Sequence, residues 1–236
     1  MSAATTRRAV DQAAATAAAL DALADKAQPR AATWRLTLAD HDVVLSRLFL
    51  VAHSFAYAVN EAGNNARFRY GELGADNHGQ DVQRAICRAA RDIRSAAESL
   101  REARTVTRRH LADLDGKQEP GRRYPLLAAV TSAQETTDQL RTTLSPRAGA
   151  YGIRLAGHAQ IADRLSTATT DLMSACSHLA ILVCGAYETA GIGRQNGPAN
   201  SAIIGAVASL RRAGRPLAVG VVVLRDDAAA GIGGRS

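Results

Sequence analysis

The stretch from residue 81 to residue 115, DVQRAICRAARDIRSAAESLREARTVTRRHLADLD, decides the fold. Val82, Ile86, Ala89, Ile93, Ala96, Leu100, Ala103, Thr107, His110 and Leu114 recur there at alternating steps of four and three, with no glycine or proline to interrupt them. That spacing places all ten on one stripe of an α-helix, and a stripe of such length has to be covered by other helices. The chain therefore reads as an all-α protein, an antiparallel bundle of about five long helices.

The flanking sequence repeats the pattern. A first helix is expected over 5–27. A second runs from an N-cap at Thr33 to Ala62, its seam carrying Trp34, His41, Leu45, Leu48, Phe55 and Val59, and it ends at Gly63, Asn64 and Asn65. A polar loop marked by Gly71, Gly74 and Gly79 should lead into the 81–115 helix. Beyond Gly116, Pro120 and Gly121 a fourth helix is expected over 126–144 and a fifth over 155–190. The fifth carries two apolar stripes, one through His158, Ile161 and Leu165 and one through Met173, Cys176 and Val183, so it should be buried on two sides. After Gly191, Gly193 and Pro198 comes a short apolar helix over 200–213, then a β-branched run over 217–224 that suits a lone strand, then a flexible tail over 226–236. The domain organisation that follows is an N-terminal helix (1–30), a helical bundle (31–190) and a short apolar helix with its tail (191–236).

Only 4% of the residues are aromatic in a chain that is 47% hydrophobic, so alanine carries much of the apolar content and packing has to come from close helix approach. The formal charge is +7, which suits an acidic partner such as nucleic acid or an anionic membrane surface. Lys26 and Lys117 are the only lysines among 29 basic residues, an Arg-for-Lys usage that a GC-rich genome also produces. Cys87, Cys176 and Cys184 read as reduced thiols of a cytoplasmic protein. No signal peptide is apparent, and the longest charge-free apolar stretch in the C-terminal half, 172–187, is shorter than a bilayer span.

The 81–115 helix also concentrates Arg84, Arg88, Arg91, Arg94, Arg101, Arg104, Arg108 and Arg109, most of them in an arc away from its seam. Such a stripe can contact phosphates, or it can be a solvated face that pairs with neighbouring acids. His41, His110 and His158 fall on seams of three different helices, but no Glu-x-x-His accompanies them and no metal site or cofactor is expected. Walker, Gly-x-Gly-x-x-Gly and Gly-x-Ser-x-Gly patterns are absent from the sequence.

The run from Arg104 to His110, RTVTRRH, resembles the Arg, four to six residues, His motif of HEPN ribonucleases, which are helical bundles. The resemblance covers this one motif and implies Arg104 and His110 as a catalytic pair for metal-independent RNA cleavage near a dimer cleft. Arg35 and His41 have the same spacing. The leading expectation is a non-enzymatic helical interaction protein that associates with itself or with another helical protein along the 82–114 or 155–190 seam, as an accessory of a plasmid or phage would. The alternatives are nucleic-acid binding through the arginine helix, a HEPN-like ribonuclease, and a membrane-associated plasmid-spread protein using the region 172–224.

Overall fold

The structure is a computed structural model that describes residues 3–29, 36–114, 125–145 and 152–232. Among the described residues there are six α-helices and no strand: α1 (Ala3–Lys26), α2 (Leu38–Glu72), α3 (Asp76–Asp113), α4 (Pro125–Leu144), α5 (Leu155–Thr189) and α6 (Gly197–Ala229), with one 3-10 turn at Gly193–Gln195. The all-α bundle expected from the seams is what the chain forms.

The helices pack as a closed ring in the order α2, α3, α6, α5, α1, α4 and back to α2, and α2 also touches α5 across the interior. The pairs α2–α3 and α3–α6 are antiparallel: Arg67 bonds Gln83 while Arg104 reaches Asp42, and His78 meets Asp227 while Ser95 meets Ser209. The pair α2–α4 runs parallel, with Arg47 on Gln134 and Asn65 on the carbonyl of Leu144. The seam of α3 faces inward, with Val82, Ile86, Ile93 and Leu100 buried, as are Leu165, Leu172 and Leu179 of α5. Both seams expected to meet a second chain are thus covered within this one. Helices α1 and α6 share the same hydrophobic core as the rest.

Small residues set the spacing of the ring. Ile86 of α3 is held between Gly63 of α2 and Gly220 of α6: a Cβ at Gly63 would lie 3.2 Å from Ile86 Cβ, and one at Gly220 would lie 2.9 Å from Ile86 Cγ1. This explains the largest departure from the expected boundaries. Gly63, Asn64 and Asn65 do not end α2, because the seam continues past them through Ala66 and Tyr70, both fully buried, and this burial outweighs the low helix propensity of Gly and Asn. The expected 71–80 loop contracts to a turn in which Gly74 takes a φ of 71°, and α3 begins at Asp76. The start of α2 also moves. Its N-cap is Thr37, whose Oγ1 accepts from the Asp40 amide while the Asp40 carboxylate accepts from the Thr37 amide, a reciprocal box; Thr33 and Trp34 lie outside the described residues.

The C-terminal segment corrects two further expectations. Residues 217–224 form no strand, and the short helix does not stop at 213: α6 is continuous from Gly197 to Ala229. Ala206, Leu210, Ala213, Leu217, Gly220 and Leu224 are buried at helical spacing, so packing on α3 and α5 overrides the β-branched preference of the valines. Pro216 removes one amide donor without ending the helix. The expected tail begins too early as well, since Asp227 is buried and accepts 2.6 Å from the Tyr70 hydroxyl and 3.1 Å from His78 Nδ1, fastening α6 to α2 and α3. Residues 233–236 lie outside the described residues.

If close approach sets the ring, Gly220→Val should cost about 1–3 kcal/mol by overpacking Ile86, and Ile86→Ala in the same chain should restore part of that loss. Gly185, in α5, has open space where its Cβ would point. Gly185→Ala should therefore stabilise by about 0.8–1 kcal/mol. Urea unfolding of the parent chain and these variants checks both.

Candidate functional site

The arginines of α3 are open to solvent. Arg84, Arg88, Arg91, Arg94, Arg101, Arg108 and Arg109 are exposed and Arg104 is half-buried, so no other described helix covers them. They do not form one uniform stripe, because their partners divide them. Arg104 and Arg108 both turn to Asp42 of α2, at 3.3 and 3.0 Å, and that carboxylate is largely buried. Arg101 pairs with Glu98 and Arg84 with Asp81, each on its own helix. Arg88, Arg91, Arg94 and Arg109 have no acidic partner among the described residues.

The side of α3 that faces α6 holds a feature absent from the one-helix picture. An open groove of about 750 Å³ runs between the two helices, and its lining includes Arg84 and Arg88 from α3 and Arg211, Arg212 and Arg215 from α6. Five arginines and two aspartates, Asp81 and Asp92, line it. Arg212 lies 3.7 Å from Asp92 and also donates to Ser209; Arg211 and Arg215 have no acidic partner among the described residues. Reading residues 200–213 as a short helix followed by a strand separated Arg215 from Arg211. On the continuous α6 they are one turn apart on the same face.

Arg104 and His110 do not converge. Their separation of six residues puts them on different sides of α3. Arg104 faces Asp42 of α2, whereas His110 Nδ1 lies 2.9 Å from the hydroxyl of Tyr187 of α5, the two rings meeting edge to face. The structure brings Arg104 to Arg108 and Asp42 instead. Each half of the motif is engaged in a separate helix–helix contact.

His41 and His158 are core residues. Burial lowers His41 to about 4, with the Leu182 backbone and Asp40 pulling weakly the other way. Burial lowers His158 to about 3, helped by the nearby positive charge of Arg69. Both are neutral at pH 7. Among the described residues no three His, Cys, Asp or Glu side chains come together as a metal-binding group. All three cysteines are free thiols; Cys176 is buried, and burial pushes it up to about 12. Helices α2 and α5 are long and apolar enough to cross a membrane by length and composition, and they are the two that touch across the interior of the ring.

No protein-family model, no curated protein and no solved structure is significantly similar to this chain.

Two outcomes follow from these environments. Asp42→Asn leaves Arg104 and Arg108 without their acid and should cost about 1–3 kcal/mol in urea unfolding. The histidines make stability depend on pH. An unfolded histidine protonates near 6.5, and the folded ones resist protonation until about 4 and 3. As pH falls below about 6.5 the unfolded chain therefore binds protons first, and stability drops by roughly 1.4 kcal/mol per pH unit for each histidine. Their contribution is full above that value and lost progressively down to about 4 and 3. In denaturant titrations between pH 7 and 5, His41→Gln should flatten the slope by about one histidine's share.

Proposed function

We propose that the protein binds nucleic acid through its phosphate backbone, using the α3–α6 arginine surface, and that it acts by binding rather than by catalysis. The observation that supports this is the groove, where unpaired arginines from two helices gather on one open face that holds only two acids. An exposed guanidinium with no carboxylate beside it is free to replace counterions on a phosphate chain, and release of those counterions drives association. None of the residues lining the groove is aromatic, so it offers no platform for stacking bases. Binding of this kind positions a backbone and reads little sequence. Such a role is compatible with an accessory protein of a plasmid or phage.

The test is fluorescence anisotropy with short labelled DNA duplexes and single strands across a salt series. Log K should fall linearly with log salt for every sequence tried. Changing Arg88, Arg211 and Arg215 together to Glu should weaken binding across all of them and lower the slope by about 0.9 for each duplex phosphate that is no longer neutralised. Absence of binding at low salt, or binding with no salt dependence, overturns the reading.

A further inference from the structure

The groove can be resolved to one point, an inference that rests on the nucleic-acid reading for the nature of the polyanion. The contacts between α3 and α6 form a regular antiparallel ladder: His78 with Asp227, Ile86 against Gly220, Asp92 with Arg212, Ser95 with Ser209. Every one of these rungs is complementary, a donor meeting an acceptor or a bulky side chain meeting a glycine. Between the Ile86–Gly220 and Asp92–Arg212 rungs the register sets Arg88 and Arg215 within about one helical turn of each other across the groove. Both line the groove, both are exposed, and neither has an acidic partner among the described residues. The carboxylates above and below are engaged, Asp92 with Arg212 at 3.7 Å and Asp81 with Arg84 at 3.6 Å.

Arg88 and Arg215 line one groove together with Ala85, Pro216 and Val219, and like charges gathered in one groove repel each other. An anion between them reverses the sign of that interaction, and the planar forks of two arginines match the oxygens of a phosphate. We infer that Arg88 and Arg215 clamp a single phosphate group, here a phosphodiester of the bound strand. Asp81 and Asp92 stand along the groove on either side of the clamp. A backbone lying lengthwise would bring its neighbouring phosphates against those carboxylates, so the strand crosses the groove from α3 to α6.

The probe is inorganic phosphate, added to the full-length protein at constant ionic strength against chloride and followed through the arginine Nε–H signals by NMR. The signals of Arg88 and Arg215 should shift together and saturate, while those of Arg94 and Arg109, equally unpaired but outside the groove, barely move. Arg88→Gln and Arg215→Gln should each weaken phosphate binding at least about tenfold, the size of one charge-assisted hydrogen bond removed, and Arg109→Gln should leave it unchanged. In phosphate-free buffer neither groove variant should melt below the parent chain, because each relieves a repulsion. Equal shifts at all exposed arginines, or saturation retained in both groove variants, overturns the clamp. Failure of the nucleic-acid reading looks different: the Arg88 and Arg215 signals still saturate with phosphate but labelled DNA does not bind. If DNA binds and Arg109→Gln weakens it as much as Arg88→Gln, the clamp falls and the broader reading stands.

Discussion

Close contact between helices at positions without side chains is the constraint on which the rest of this structure depends. With few aromatic residues to fill space, the ring closes only if backbones approach each other, and Ile86 wedged between Gly63 and Gly220 is where three helices do so at once. That crossing fixes how near α6 lies to α3. It thereby determines that arginines from both helices border one groove instead of projecting from separate ridges. The same proximity buries the long apolar seams of α3 and α5 within the one chain.

Helix α3 is legible in the sequence because its periodicity is unbroken and nothing in it opposes a helix. The sequence misleads where a local signal and a tertiary one disagree. Gly63 reads as a stop by propensity, yet its lack of a Cβ is what α3 needs at that level; the sign that α2 continues is the spacing of Ala62, Ala66 and Tyr70, all buried. The valines near 219–223 read as a strand for the same reason, although Leu210, Ala213, Leu217, Gly220 and Leu224 already carry the helical period. At the start of α2 the pairing of Thr37 with Asp40 is present in the sequence as a capping pattern, and the more upstream Thr33 competes with it as a cap.

The candidate site is half legible. Exposure of the α3 arginines follows from helix geometry, since residues opposite a buried seam face solvent. Which of them are spent does not, because the acid that engages Arg104 and Arg108 lies on α2, more than 60 residues away in the chain. The contribution of α6 is hidden by the misplaced helix end. The Arg104–His110 spacing shows the complementary limit: a motif fixes distance along a helix, whereas the side chains here point to two different neighbours, Asp42 and Tyr187.

The ring order has a consequence for how the chain comes to be folded. Helix α1 is synthesised before the other five, but it sits between α4 and α5: Gln12 bonds the carbonyl of Thr136, and the ring of His178 meets the carbonyl of Ala24, contacts that span 124 and 154 residues. The α2–α3 and α5–α6 hairpins can assemble from neighbouring segments as soon as each is made. α1 has no surface to join until most of the protein exists, and closing it into place carries the loop-closure cost of contacts this distant in the chain. The earliest of these helices off the ribosome thus has to wait for α4 and α5, more than 100 residues further along the chain, before its row of buried alanines and leucines is covered on both sides.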